Sequence, residues 1–313
     1  MTVNEPYPSL SDNLPMNWPN KQTGLRVIIQ PSSERVQSIE DVFTRVDSSD
    51  SADLVVRRID SATFQFKRLD PLISKWARLI NVTLRLGLPE VLQEVSHFNF
   101  HLYRHNNTNF LQHEVEVMLH KLMQTVRSGE EVYVRDGEFD MPLLSDRENT
   151  IFVQSQHDNR VFYGLTVKNY SSHNLFPYLV YFDPSDYSIQ VTSLGLHVGI
   201  CYADIAIQLW YHPPSAAMPV PLPARHGDGS PSELPIGYGE PNADAFTFWV
   251  PDGVASDVGF LRLFVTATYI DMTVLEQSSP FFASRGAKKT RPPPLEVWGA
   301  WTYVLRTEES RSQ

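Results

Sequence analysis

Three histidines have the spacing of metal ligands. His97, His101 and His105 recur every four residues, so on a helix they line one face, in the His-x-x-x-His arrangement that can bind zinc. The glutamate that usually follows the first histidine of such a site is missing, because position 98 is phenylalanine. His113 and His120 are too loosely spaced to complete a site. We therefore predict histidines packed at a helix end, and neither a metal site nor a bound cofactor.

Acidic residues cluster at two points of the chain. Asp183 and Asp186 flank Pro-Ser and suit a turn in which each Asp side chain bonds the backbone two residues on. Glycosidase chemistry needs two carboxylates facing each other across a cleft, which the sequence does not show. Asp136, Glu138 and Asp140 alternate as in a calcium loop but lack the remaining EF-hand ligands. We predict a structural turn for the first group and a solvated hairpin for the second.

The single cysteine, Cys201, excludes an internal disulfide and a cysteine-based zinc site. The only His-Gly pair, at His226, follows Cys201 in the chain, which is the reverse of the order of a dyad in which the histidine precedes the nucleophilic cysteine. We predict no catalytic residues, and we lean towards a protein that is not an enzyme.

Aromatic residues border a long segment, residues 213–241, that is rich in Pro, Gly and Ser and is predicted to be a loop. Trp210, Tyr211 and Tyr238 are a candidate ligand patch of the kind that a lectin-like sandwich uses, with core packing as the alternative. The Gly-Tyr-Gly at 237–239 is not a phosphate loop, because no Lys-Ser/Thr follows it.

The overall composition is that of a globular protein: 313 residues, 42% hydrophobic and 20% charged, with a net charge of −10. This acidic balance argues against nucleic-acid and anionic-membrane partners. No apolar run approaches the length needed to span a bilayer, and the polar N-terminus has no signal-peptide pattern. We expect an intracellular, cytoplasmic protein.

The first half of the chain predicts a small α/β unit over residues 25–129, after a disordered tail at 1–24. Strands are expected at Leu25–Gln30, 54–59 and 63–69. Apolar spacing predicts a helix over 36–46. A second helix is expected from Pro89, which suits a first turn, to Tyr103.

The second half predicts an antiparallel β-sandwich over residues 130–306, followed by a tail at 307–313. Short strand-like runs alternate with turn clusters, which is typical of such folds. The predicted strands are 115–122, 131–135, 150–154, 161–167, 177–182, 246–250, 259–268 and 298–306. The fold class predicted from these runs is α+β.

Several motifs in this half resemble one family. They are Tyr163-Gly-Leu-Thr-Val-Lys-Asn169, Tyr181-Phe-Asp-Pro-Ser-Asp-Tyr187, Trp210-Tyr-His-Pro-Pro-Ser215, Leu234-Pro-Ile-Gly-Tyr-Gly239 and Glu276-Gln-Ser-Ser-Pro-Phe281. Together they resemble the non-catalytic C-terminal region of caspase-like peptidases from mushroom-forming fungi. The resemblance covers roughly residues 25–305 and implies an accessory region that lacks its protease.

Residues 191–208 interrupt one of these motifs, which joins cleanly as Tyr-Ser-Ile-Gln/Leu-Trp-Tyr-His when they are removed. We interpret this block as a retained intron. The alternative is a genuine insertion, and the sequence of the spliced transcript decides between them.

Three functional hypotheses follow from the sequence. The favoured one is a non-enzymatic accessory or protein-interaction module that regulates or recruits a caspase-like protease encoded elsewhere. The second is a carbohydrate- or lipid-binding sandwich that uses the 213–241 segment, and the third is a residual cysteine peptidase.

Overall fold

The computed structural model describes residues 24–32, 36–39, 42–69, 74, 79–104, 111–153, 161–191, 207–208, 221–240, 243, 245–248, 250, 255–282 and 298–309. Its strands form three sheets, and α1 (Leu88–Tyr103) is the α-helix of the described ranges. The α+β class is confirmed. No helix in these ranges is long and apolar enough to cross a membrane.

The N-terminal sheet has five strands: β1 (Leu25–Gln30), β2 (Phe43–Arg45), β3 (Leu54–Arg58), β4 (Thr63–Arg68) and β5 (Ile80–Thr83). The spatial order is β2-β1-β3-β4-β5, with β1 parallel to both of its neighbours. Alternate residues of β1, such as Val27 and Ile29, are buried against α1. This is the period of two expected for a sheet with one covered face.

The remaining strands form two further sheets. They are β6 (Val115–Arg127), β7 (Glu130–Pro142), β8 (Glu148–Val153), β9 (Phe162–Asn169), β10 (Phe176–Asp183), β11 (Ser188–Val191), β12 (Ile207–Gln208), β13 (Ser232–Ile236), β14 (Phe246–Phe248), β15 (Ser256–Thr266) and β16 (Trp298–Glu309). The middle sheet has the order β11-β10-β15-β16-β8, and the outer sheet the order β12-β14-β9-β6-β7, with β13 also paired to β9.

The middle sheet is covered on both faces. Val180 and Phe182 of β10 pack in one core with α1 and the N-terminal sheet, while Leu179 and Tyr181 pack in a second core with the outer sheet. Because both faces are buried, the strand reads as a continuous apolar run without polar alternation. The layers are therefore N-terminal sheet, helix, middle sheet and outer sheet, so the predicted sandwich is present and α1 covers one of its faces.

The structure differs from two local predictions. The helix expected over 36–46 is replaced by β2 and by an isolated bridge between Ile39 and Phe43, because Phe43 pairs in parallel with Leu25 and is buried in the core. The loop expected over 213–241 contains β13, whose register on β9 places Ile236 opposite Leu165. Tertiary pairing overrides the local pattern in both places.

Two of the predicted limits fall inside sheets. Gly129 lies in the hairpin turn that joins β6 to β7, so β6, which precedes the limit, belongs to the outer sheet of the sandwich. The tail predicted at 307–313 begins inside β16, which extends to Glu309. Of the predicted insertion, residues 192–206 lie outside the described ranges. Its ends contribute Val191 to β11 and residues 207–208 to β12.

Candidate functional site

A buried polar cluster lies on the outward face of the outer sheet. This face is opposite the core that the outer sheet shares with the middle sheet, which we call the shared core. Val117 and Leu119 of β6 point into that core, so the period of two turns His120 outwards. The same alternation on β9 turns Thr166 outwards, between the core residues Leu165 and Val167. Both polar side chains are nonetheless buried, at 1% and 0% exposure respectively.

Asp140, His120 and Thr166 form a hydrogen-bonded chain. An Asp140 carboxylate oxygen contacts His120 Nδ1, and His120 Nε2 lies 2.7 Å from Thr166 Oγ1. A carboxylate only accepts hydrogen bonds, which assigns the imidazole proton to Nδ1 and leaves Nε2 to accept from the threonine hydroxyl. Burial lowers the pKa of His120 below its ordinary 6.5, in spite of the opposing effect of Asp140, which is consistent with a neutral ring.

An irregularity in β7 brings the acidic and basic partners to this cluster. His120 pairs with Asp140 and Leu122 pairs with Arg135, so four residues of β7 stand opposite Lys121 alone. Within this bulge Asp136 accepts a hydrogen bond from the backbone of Glu138 at 3.0 Å, and it pairs with Lys121 at 3.7 Å. Of the acidic group predicted as a solvated hairpin, Asp136 and Glu138 therefore lie in a bulge inside a strand, and Asp140 follows that bulge. Bulges redirect side chains.

Tyr238 covers the cluster. Its hydroxyl lies 2.5 Å from Thr166 Oγ1 and accepts hydrogen bonds from Arg135 Nε at 2.9 Å and Nη2 at 2.6 Å. Arg135 Nη2 also donates to Thr166 Oγ1 at 2.9 Å. The threonine hydroxyl thus donates to His120 and accepts from both Arg135 and Tyr238, which uses its whole hydrogen-bonding capacity.

The order carboxylate, imidazole, hydroxyl is the one that activates a nucleophile in serine hydrolases. Such a nucleophile must face an open site where a substrate carbonyl can approach. Here Thr166 is fully buried and its oxygen is fully engaged. The arrangement stabilises the contact between the outer sheet and the segment that carries Tyr238, and it does not present a nucleophile.

Charged residues surround this cluster on the same face. Lys168 lies 3.6 Å from Glu116 and 4.0 Å from Glu233, and Arg135 lies 3.9 Å from Glu233. Tyr170 donates a hydrogen bond to Glu116 at 3.0 Å. Exposed pairs of this kind add little stability, but they give the face a defined pattern of charge.

The hairpin of β6 and β7 extends beyond the cluster as an exposed ribbon. Every residue from 123 to 131, which we call the ribbon, is exposed. Its turn residues Ser128 and Gly129 have φ angles of 56° and 88°, as in the two-residue turns that suit twisted hairpins. The apolar side chains of Met123 and Val126 are 49% and 69% exposed.

The predicted histidine row lies partly on α1. The rings of His97 and His101 are 4.5 Å apart and edge-on, and His101 is fully buried, while His105 lies outside the described residues. Within the described ranges, no group of three or more His, Cys, Asp or Glu side chains is placed to hold a metal ion.

The predicted turn at Asp183 and Asp186 is confirmed. Asp183 accepts hydrogen bonds from the Ser185 backbone at 2.7 Å and hydroxyl at 2.6 Å, and Asp186 accepts from the Ser188 backbone at 2.8 Å. Burial, reinforced by the charge of Asp186, raises the pKa of Asp183 to about 7. Burial also raises the pKa of Asp186.

The predicted aromatic patch is only partly described. Trp210 and Tyr211 lie outside the described residues, as does Cys201. The ring of Tyr238 contacts His120 edge-on at 5.6 Å between centroids and lies under the Arg135 guanidinium at 5.3 Å, so these two side chains pack against it. His226 begins an exposed turn in which its backbone accepts a hydrogen bond from Gly229.

Comparison with known proteins identifies no relative: we found no match to this chain among protein-family models, curated proteins or solved structures. Function is therefore inferred from the geometry of the outer sheet.

Proposed function

We propose that this protein is a non-enzymatic accessory module that binds a protein partner through the ribbon and the adjoining outward face of the outer sheet. The exposed ribbon is the observation that carries the proposal. It presents Met123 and Val126 to solvent, at 49% and 69% exposure, on a hairpin that projects past the shared core. Apolar groups with a rim of charge are typical of protein-binding surfaces.

The chemistry of the polar cluster supports a binding role over an enzymatic one. The hydroxyl that stands where a nucleophile would stand is fully buried under Tyr238 and hydrogen-bonded by three side chains. The rigid sheet that these bonds hold together is a suitable base for a projecting hairpin.

A caspase-like protease is the partner that we propose, on the basis of the motifs that resemble the accessory region of such proteins. The net charge of −10 favours protein over nucleic acid as the partner. A cytoplasmic location fits a partner of this class.

Site-specific crosslinking tests the proposal. A photoreactive p-benzoylphenylalanine replaces Val126, and the protein is irradiated with the caspase-like protease domain of the same organism. We expect crosslinks at this position, mapped by mass spectrometry. The matched control carries the same group at Ile59, which is also an exposed apolar hairpin residue, at 51% exposure. Equal crosslinking from both positions, or none from Val126, contradicts the proposal.

A further inference from the structure

We propose that Tyr238 occupies, within its own chain, a binding slot for a tyrosine side chain of the protein partner. The inference rests on the proposed function and names the chemical group that this face recognises. Each part of the slot contacts the tyrosine ring or its hydroxyl, so a tyrosine of another chain would find the same partners once Tyr238 leaves.

The floor of the slot is Gly164, directly opposite His120 in the sheet. A Cβ atom at position 164 would lie 2.6 Å from Tyr238 Cδ1, 3.0 Å from the backbone carbonyl oxygen of Ile236 and 3.1 Å from Leu122 Cδ1. Any side chain larger than hydrogen would therefore fill the space that the ring occupies. The missing side chain creates a depression that fits an aromatic ring in the middle of the sheet.

The walls suit an aromatic ring. The His120 ring meets the tyrosine edge-on, at 5.6 Å between centroids and an angle of 70°, which is a favoured aromatic geometry. The Arg135 guanidinium lies over the tyrosine ring at 5.3 Å from its centroid, within the range of a cation–π contact.

The far end of the slot recognises a phenol hydroxyl. Thr166 Oγ1 accepts a hydrogen bond from the phenol hydroxyl, and Arg135 donates two hydrogen bonds to the hydroxyl oxygen. Because a site built to bond a hydroxyl rejects the analogue that lacks it, tyrosine is preferred over phenylalanine. Glu233, 3.9 Å from Arg135, and Asp140, beside His120, place negative charge nearby and disfavour phosphotyrosine.

A short segment, residues 237–239, holds Tyr238 in the slot, and we call it the strap. Gly237 and Gly239 flank it with φ angles of 81° and 94°, a backbone conformation that glycine adopts without strain. The backbone N–H of Gly239 donates to the Tyr133 carbonyl of β7 at 2.9 Å, at the base of the ribbon. A partner that binds the ribbon therefore lies next to the strap and can displace it.

Ligand binding by Tyr238→Ala tests the slot. N-Acetyltyrosinamide is the probe, and N-acetylphenylalaninamide is the matched control that lacks the hydroxyl. At a concentration ten times its Kd, the tyrosine probe should raise the Tm of this variant by at least about 2 °C. The phenylalanine probe should bind at least about tenfold more weakly. The Tm of the wild-type protein, whose slot is filled, should rise less. The Tm of the double variant that carries both Tyr238→Ala and Gly164→Ala should also rise less.

Two results would overturn the proposed slot. They are the absence of a saturable Tm shift with the tyrosine probe, and equal Tm shifts with both probes. If Tyr238→Ala does not fold, Tyr238→Val, which leaves the ring space and the partners of the hydroxyl open, replaces it, and the probe is titrated while the backbone amide signals of Gly164 and Thr166 are followed by NMR. Saturable changes in both signals are expected, and their absence contradicts the slot. Crosslinking at Val126 is independent of these titrations, so failure of the slot is distinguishable from failure of the proposed function.

Discussion

Arg262 donates a hydrogen bond from Nη1 to the backbone carbonyl of Leu102 at 2.6 Å, which joins the middle sheet to the C-terminal end of α1. The same guanidinium also contacts the carbonyls of His101 and Arg104. The last turn of a helix has carbonyls without intrahelical partners. A cation at this end also interacts favourably with the negative end of the helix dipole. Burial lowers the pKa of Arg262 to about 9, so it remains charged at neutral pH.

Replacing Arg262 by Met should destabilise the fold by about 3 kcal/mol or more, because several buried carbonyls lose their donor. Chemical denaturation measures the free energy of unfolding. Arg306→Met is the matched control, since Arg306 is a partly exposed arginine of β16 that is paired with Glu148 at 2.9 Å. Its loss should cost under about 1 kcal/mol. Equal losses in the two variants would contradict the capping role.

The raised pKa of Asp183 predicts an unusual pH dependence. The folded state keeps the Asp183 proton up to about pH 7, whereas the ordinary value is 3.8. Between pH 3.8 and about pH 7 the folded state therefore binds more protons than the unfolded state. The contribution of Asp183 to stability falls as pH rises through this window. Asp183→Asn keeps the acceptor for Ser185 and removes the charge. At pH 8 it should be more stable than wild type, on the order of 2 kcal/mol, with little difference near pH 4.

Asp228→Asn is the control for this experiment. Asp228 makes the same pair of bonds, to the backbone and hydroxyl of Ser230 at 2.9 and 2.6 Å, but it is exposed and its pKa is lowered by those bonds. No gain in stability at pH 8 is expected. Urea midpoints at several pH values compare the two variants. If Asp228→Asn gained as much stability at pH 8 as Asp183→Asn, burial of Asp183 would not be the cause of the gain.

His120 predicts the opposite pH slope. Its folded-state pKa lies below 6.5 because burial disfavours the charged ring, so the unfolded state binds the proton first as pH falls. Stability should therefore decrease below about pH 6.5. The effect is clearest in the Asp183→Asn background, where the contribution of Asp183 to the opposing slope is gone. Adding His120→Asn should remove this decrease in stability on acidification. A decrease below about pH 6.5 that survives His120→Asn contradicts the assignment.

The contact between Gly164 and Tyr238 predicts strong non-additivity. Gly164→Ala should cost more in wild type than in Tyr238→Ala, because the added Cβ meets the tyrosine ring at 2.6 Å only when the ring is present. A coupling free energy of about 1 kcal/mol or more is expected from a double-mutant cycle. The same glycine change combined with Val126→Ala, on the ribbon, should be additive. Additivity in both cycles would show that the packing of the Tyr238 ring does not depend on Gly164.

Local patterns predict the elements whose burial is simple. β1 matches its prediction residue for residue, and α1 begins one residue before the predicted Pro89 and ends at Tyr103 as predicted. The Asx turn at Asp183 depends only on neighbouring residues, so the sequence contains all of its information. The helix expected over 36–46 fails because β2 is held by its pairing with β1, which lies outside any local window.

The polar cluster could not be predicted in the same way. Alternation with Val117 and Leu119 places His120 on the outward face, but its partner Thr166 is 46 residues away. Tyr238 lies a further 72 residues along the chain. Their contact depends on the register of β6, β9 and β13, and on the bulge that places Arg135 and Asp140 on either side of Lys121. The spacing of these residues in the chain contains no signal for that register.

Affinity for a caspase-like protease domain tests the central claim most directly. Biolayer interferometry compares wild type with Val126→Glu and with Ile59→Glu, which introduce the same charge at exposed apolar positions on the outer and N-terminal sheets. We predict saturable binding by wild type, a loss of affinity of at least about tenfold for Val126→Glu, and unchanged affinity for Ile59→Glu. Absence of binding by wild type, or equal affinities for all three proteins, would contradict the account.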